Sequence, residues 1–101
     1  MTRNIRGEAP SMVLHALATA NRALRLGEIT AQVDLAGPTV ARVLRALEED
    51  GVVSGDLPLG QRRGQHVLYS LNRDRLADVV KPWLDYITGK DDAGGRGGAD
   101  A

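Results

Sequence analysis

A chain of 101 residues, 43% hydrophobic and 26% charged, has the size and composition of one small folded domain, which argues against a second full domain and against wholesale disorder. Thirteen basic and thirteen acidic side chains cancel to a formal charge of zero, so coating nucleic acid by bulk charge is disfavoured. Cysteine and phenylalanine are absent and only three aromatic-ring residues remain, which removes disulfide scaffolds, thiolate metal sites and thiol nucleophiles, and leaves little ring surface for stacking on single-stranded bases.

No apolar run approaches the roughly 18–20 residues of a membrane span, and residues 1–10 lack the apolar stretch of a signal peptide. That segment reads as a flexible N-terminal arm on a cytoplasmic protein. From Ser11, a candidate N-cap after Pro10, the residues Val13, Leu14, Leu17, Ala20 and Leu24 fall on one stripe of a first helix. Gly27 precedes a short second helix in which Ile29 and Val33, four apart, share a side. Leu35 and Gly37 lie in a tight turn over residues 34–37, and Pro38 suits the first position of a third helix. That helix, residues 38–50, sets Val40, Val43, Leu44 and Leu47 on one face. Thr39, Arg42 and Ala46 stand opposite, flanked by Ala41 and Arg45, and Gly51 fits the residue just past the end.

At Val52 and Val53 the period changes to that of a strand. A loop with Gly55, Pro58, Gly60 and Gly64 follows, and residues 66–71 form the return strand, with Val67, Tyr69 and Leu71 alternating toward the helices. Gln61, Arg62 and Arg63 occupy the tip of this hairpin. Asn72 is a candidate cap for a fourth helix whose stripe of Leu76, Val79, Val80, Trp83, Tyr86 and Ile87 is richer than a small monomer's surface helix needs, so it predicts a dimer interface. Pro82 predicts a bend or a split in it. Residues 89–101 hold five glycines and no large apolar side chain, and read as a disordered tail. The folded unit is therefore residues 11–88, and without the tail residues 1–88 hold 11 basic and 10 acidic side chains, which keeps the charge near balance.

Helix, short helix, tight turn, helix, hairpin and final helix is the order of a winged helix-turn-helix domain. It is an α+β fold, mostly helical, with a two-stranded β-wing and a C-terminal dimerisation helix. Residues 27–35 (Gly-Glu-Ile-Thr-Ala-Gln-Val-Asp-Leu) and 39–53 (Thr-Val-Ala-Arg-Val-Leu-Arg-Ala-Leu, then Gly-Val-Val after three acids) resemble the "E-L-A, then T-V-S-R-H-L-x-x-L-x-x-x-G-L-V" pattern of ArsR-like and MarR-like bacterial repressors. Residues 64–71 resemble their wing, which often ends in "G-R-x-x-Y-x-L". The resemblance covers residues 11–88. It implies a homodimeric, sequence-specific transcriptional regulator, a repressor, cytoplasmic and nucleoid-associated. Each subunit would set recognition helix 38–50 in a major groove of double-stranded DNA and lay wing 54–66 along the backbone or minor groove. By position it gives recognition roles to Thr39, Ala41, Arg42 and Arg45, and wing roles to Gln61, Arg62 and Arg63. Two departures stand out. Pro38, Ala41 and Val43 occupy positions that are commonly polar in the family, and the thiolate and histidine metal boxes of its metal-sensing members are missing, so metal sensing does not carry over.

An arginine entering the major groove can donate two parallel hydrogen bonds to guanine, and Arg42 is the first candidate for this. Arg45, one turn on, and Thr39 with the first-turn amides near Gly37 suit phosphates. Adjacent wing arginines would add affinity that ignores sequence and falls with salt. The blander alternatives are a solvated helix face, with Arg42 and Arg45 pairing with acids such as Glu49, and a solvated charged hairpin tip. His15 and His66 read as structural or exposed, and Trp83 and Tyr86 as packing residues or the border of a ligand pocket. No nucleophile–base pair, metal site or phosphate-cradling loop is visible, so neither enzyme activity nor a cofactor is expected, and the residues name no effector. Two other functions remain open at this stage: a winged-helix protein–protein adaptor, which the charge balance suits, and an architectural or plasmid-maintenance DNA-binding protein without ligand response.

Overall fold

The computed structural model describes residues 7–90. Residues 1–6 of the expected arm and 91–101 of the expected tail lie outside the described residues. Helix α1 (Glu8–Ala20) begins three residues before the Ser11 cap expected from sequence, so Glu8, Ala9 and Pro10 are helical. Pro10 is tolerated because it stands in the first turn, where a backbone N–H has no intrahelical partner to lose, and the Glu8 carboxylate sits at the positive end of the helix. The helix stops at Asn21, whose φ of 55° lies in the left-handed region and whose N–H donates to the Leu17 carbonyl at 3.3 Å. Leu24 is therefore not on the first helix. It opens a short strand, β1 (Leu24–Arg25), that the hydrophobic pattern did not announce.

Helices α2 (Leu26–Gln32) and α3 (Gly37–Glu49) follow. The backbone N–H of Arg25 donates to the Glu28 carboxylate at 2.9 Å, a side-chain cap for the first turn of α2, and Arg22 reaches the other oxygen of Glu28 at 3.0 Å. Val33 leaves the helix in an extended conformation and still packs against the core. Pro38 falls in the first turn of α3, as its fixed φ favours, although the helix starts one residue earlier at Gly37. At the other end Val52 N–H bonds the Leu47 carbonyl and Gly51 N–H bonds that of Glu48, both at 3.0 Å, with Gly51 at φ 76°. This is the glycine stop expected from sequence, and the left-handed angle is what a side chain there would resist.

Strands β2 (Val53–Gly55) and β3 (Leu68–Leu71) form the wing, but the sheet has three strands where two were expected. Its order is β1-β3-β2, all antiparallel, with Leu24 opposite Tyr69 and Val53 opposite Leu71. β1 thus ties the start of the helix-turn-helix to the loop-side end of β3. Asn72 caps α4 (Arg73–Thr88), its side chain accepting from Arg75 N–H at 3.0 Å. Pro82 lies inside this helix without splitting it.

The core comprises Val13, Leu17, Leu24, Ile29, Val40, Leu44, Leu47, Val52, Val53 and Val79, all buried. Helices α1, α2 and α3 meet on it and the sheet closes one side. Leu76 and Val80 pack against the same core, so the first half of the α4 stripe serves the subunit's own interior. Two arginines fix the start of α4 to helix ends. Arg73 donates to the Ala18 carbonyl at 3.1 Å in the last turn of α1, and Arg75 Nε donates to the Asp50 carbonyl at 2.8 Å just past α3. Both place a cation where a helix dipole is negative.

Candidate nucleic-acid interface

The outer side of α3 is built by the same periodicity that buries its inner side. Val40, Leu44 and Leu47 are fully buried and hold the helix on its axis, which leaves Ala41, Arg42 and Arg45 exposed, with Thr39 half-buried in the first turn. Arg42 and Arg45 are three residues apart, so they stand about 4.5 Å apart along the axis on one side of the helix. Among the described residues neither enters an ion pair. Pairing with Glu49, the blander sequence reading, is not what this helix does.

The wing behaves differently at its two adjacent arginines. Arg62 turns inward: its Nη1 and Nη2 donate to the two carboxylate oxygens of Glu48 at 2.8 and 2.6 Å, and its Nε donates to the Leu57 carbonyl at 2.8 Å. The two side chains are only 16% and 13% exposed, and the guanidinium carbon lies 5.7 Å from the centre of the Tyr69 ring. Glu48's hydrogen bonds push the Arg62 pKa still higher, and burial raises that of Tyr69. Gly55 makes room for this arrangement. A Cβ there would lie 2.9 Å from Val67 Cγ1 and collide with the Arg62 guanidinium. The expectation of an exposed Arg62 on the wing tip is therefore corrected. A second layer of interactions organises the rest of the loop: Asp56 N–H bonds the Leu68 carbonyl at 3.0 Å, and Leu68 N–H bonds the Asp56 carboxylate at 2.9 Å. Gln61 ends a 3-10 turn (Leu59–Gln61) and is exposed. Arg63 and Gly64 form the centre of a turn closed by Gln65 N–H on the Arg62 carbonyl at 2.9 Å, with Gly64 at φ 75°. Arg63 is exposed there and enters no ion pair among the described residues.

Sequence reasoning missed Glu48 and Tyr69 as partners of Arg62, and missed the helix-end contacts of Arg73 and Arg75. Glu48 and Arg62 are 14 residues apart with a strand and a turn between them, so no local pattern links them. The predicted dimer stripe also divides. Val79 is 9% exposed and belongs to the core with Leu76 and Val80, whereas Trp83, Tyr86 and Ile87 are 37%, 69% and 53% exposed, joined by Leu84 at 47%. His15 and His66 are exposed. Among the described residues no cluster of three or more metal-ligating side chains occurs, and no helix is long and apolar enough to cross a membrane.

Two core-anchored helices joined by a tight turn, a wing beside the second and a closing helix define the winged helix-turn-helix fold. Residues 11–57 match the IclR helix-turn-helix domain family. No curated protein matches the chain in sequence. Among solved structures, the chain is similar to BpsR of Bordetella bronchiseptica, whose DNA binding is regulated by 6-hydroxynicotinic acid, with a TM-score of 0.62 at 23% identity over 93% of this chain and 70% of that one. It is also similar to diamide-treated YodB from B. subtilis (TM-score 0.58, 19% identity, 82% of this chain and 84% of that one). A possible transcriptional regulator from Methanosarcina mazei Go1 shares the fold at a TM-score of 0.50 and 18% identity, over 89% of this chain and 76% of that one.

Proposed function

We propose that the protein is a sequence-specific, double-stranded-DNA-binding transcriptional regulator that acts as a homodimer, as a repressor at the nucleoid and in the manner of ArsR-like and MarR-like proteins. The observation that carries this reading is the exposed side of α3: Arg42 and Arg45 project, without ion-pair partners among the described residues, from a helix whose other side is locked in the core. A rod held in this way is what entry into a major groove requires, since an α-helix fits that groove and arginine reads guanine there. Thr39 and Ala41 flank the arginines at the leading end, and Gln61 and Arg63 are the wing's contacts with the backbone. Arg62 leaves this contact set because its side chain is 16% exposed and already donates to Glu48 and Leu57.

The dimer reading rests on the second half of α4, where Trp83, Leu84, Tyr86 and Ile87 present neighbouring apolar surface; Leu76, Val79 and Val80 drop out of it. Two subunits joined there would offer two recognition helices to half-sites about 34–36 Å apart. Titration of a labelled mixed-sequence duplex at two salt concentrations tests DNA binding itself. Affinity that falls steeply with salt supports it, while no measurable affinity at low salt rejects it in favour of a protein-binding role.

A further inference from the structure

Glu48, in the last turn of the recognition helix, and Arg62, in the wing loop, are joined by two charge-assisted hydrogen bonds in parallel geometry, and both side chains are largely shielded from solvent. Three further features converge on this pair. Leu57's carbonyl takes the Nε donor, the Tyr69 ring lies under the guanidinium, and Gly55 provides the space. The two charges cancel, so the pair offers little attraction to a phosphate. Its backbone, however, anchors one end of the turn that carries Arg63, because the Arg62 carbonyl closes that turn with Gln65. We propose that Arg62 is a positioning residue for DNA binding. Clamped by Glu48, it fixes the wing against the recognition helix and sets where Arg63 meets the duplex, without touching DNA itself.

This rests on the DNA-binding reading above, and its consequence runs against simple electrostatics. Glu48→Gln removes a negative charge from the helix that faces the polyanion, which alone would tighten binding. Loss of the clamp instead leaves the wing to be ordered on binding, which weakens it.

The experiment compares wild type, Glu48→Gln, Arg62→Lys and Arg63→Ala. It measures affinity for a labelled duplex across a salt series, at a temperature where melting curves show every variant folded, together with amide exchange at Gln65 and Leu68. Glu48→Gln is expected to weaken binding about fivefold to tenfold, the scale of re-ordering a short segment, with the salt slope unchanged. Arg62→Lys, which keeps the charge but lacks the planar fork, falls between it and wild type. Arg63→Ala reduces the slope by about 0.9, the signature of one lost phosphate contact. Amide exchange at the two wing positions speeds up in Glu48→Gln and not in Arg63→Ala. Unchanged or tighter binding by Glu48→Gln overturns the proposal, as does a salt slope that drops in Arg62→Lys. If wild type binds no duplex, the DNA reading fails and the positioning role falls with it. The exchange rates then still decide whether the pair holds the wing.

Discussion

At the scale of single residues, neighbours in sequence have opposite fates. Arg62 and Arg63 are indistinguishable as a dipeptide on a hairpin tip, and nothing local marks which will be captured. The outcome depends on where α3 ends, which places Glu48 beside the wing, and on Gly55, which admits the guanidinium. Arg42 was legible because helical period alone sets it opposite Val40, Leu44 and Leu47. Its replacement by Ala is expected to lower affinity for the preferred site by about 1–3 kcal/mol and to relax preference at one base position, as read by competition with single-base variants of that site. Glu28 gives a pH-dependent prediction. Arg25 N–H and the Arg22 guanidinium hold its carboxyl below the usual glutamate value, so the folded state binds a proton less readily than the unfolded one. The stabilisation is fully present above the unfolded pKa and disappears as pH falls through the folded one. Urea denaturation from pH 6 down to pH 3 is therefore expected to show a shallower acid-side loss in Glu28→Gln than in wild type.

At the scale of elements, patterns with a strong local cause read correctly and those set by pairing did not. Helix α3 announced its buried stripe, its proline start and its glycine stop, and Asn72 announced α4. Strand β1 has two residues, too few for any alternation to show, and exists because Leu24 and Arg25 pair with the first two residues of β3. The early start of α1 was hidden by Pro10, which reads as a breaker unless it is known to fall in a first turn. The stability of α3 in its seat is where energetics and function meet. Leu44→Ala leaves a cavity between α1, α2 and α3 and is expected to cost about 2–5 kcal/mol in chemical denaturation. Such a loss would reduce DNA binding through the population of folded protein and leave base preference intact. Arg75, bonded to the carbonyl past the end of α3, and Arg73, bonded to α1, make α4 part of the same framework.

At the scale of the whole molecule, a chain of zero formal charge carries exposed arginines without ion pairs on the outer side of α3 and at the wing tip among the described residues, and under the proposed dimer two such faces would meet two half-sites of one duplex. Composition showed the charge balance, and the richness of the α4 stripe showed surplus apolar surface. How that stripe divides between core and outside was not legible, because Leu76, Val79 and Val80 share their helical side with residues one turn further on. The division depends on how far the core extends along α4. Trp83→Asp is expected to shift sedimentation velocity from dimer to monomer while the melting temperature changes little, since the indole is 37% exposed and outside the core. Binding to a site with two half-sites would then fall far more than binding to one half-site.

Selection of bound sequences from a random duplex pool tests the central claim most directly. Paired recognition helices predict enrichment of an inverted repeat whose half-sites are centred about 10–10.5 base pairs apart, with a guanine position in each half that loses its preference in Arg42→Ala. Recovery of no enriched sequence, or of a repeat whose preference is indifferent to Arg42, would contradict it.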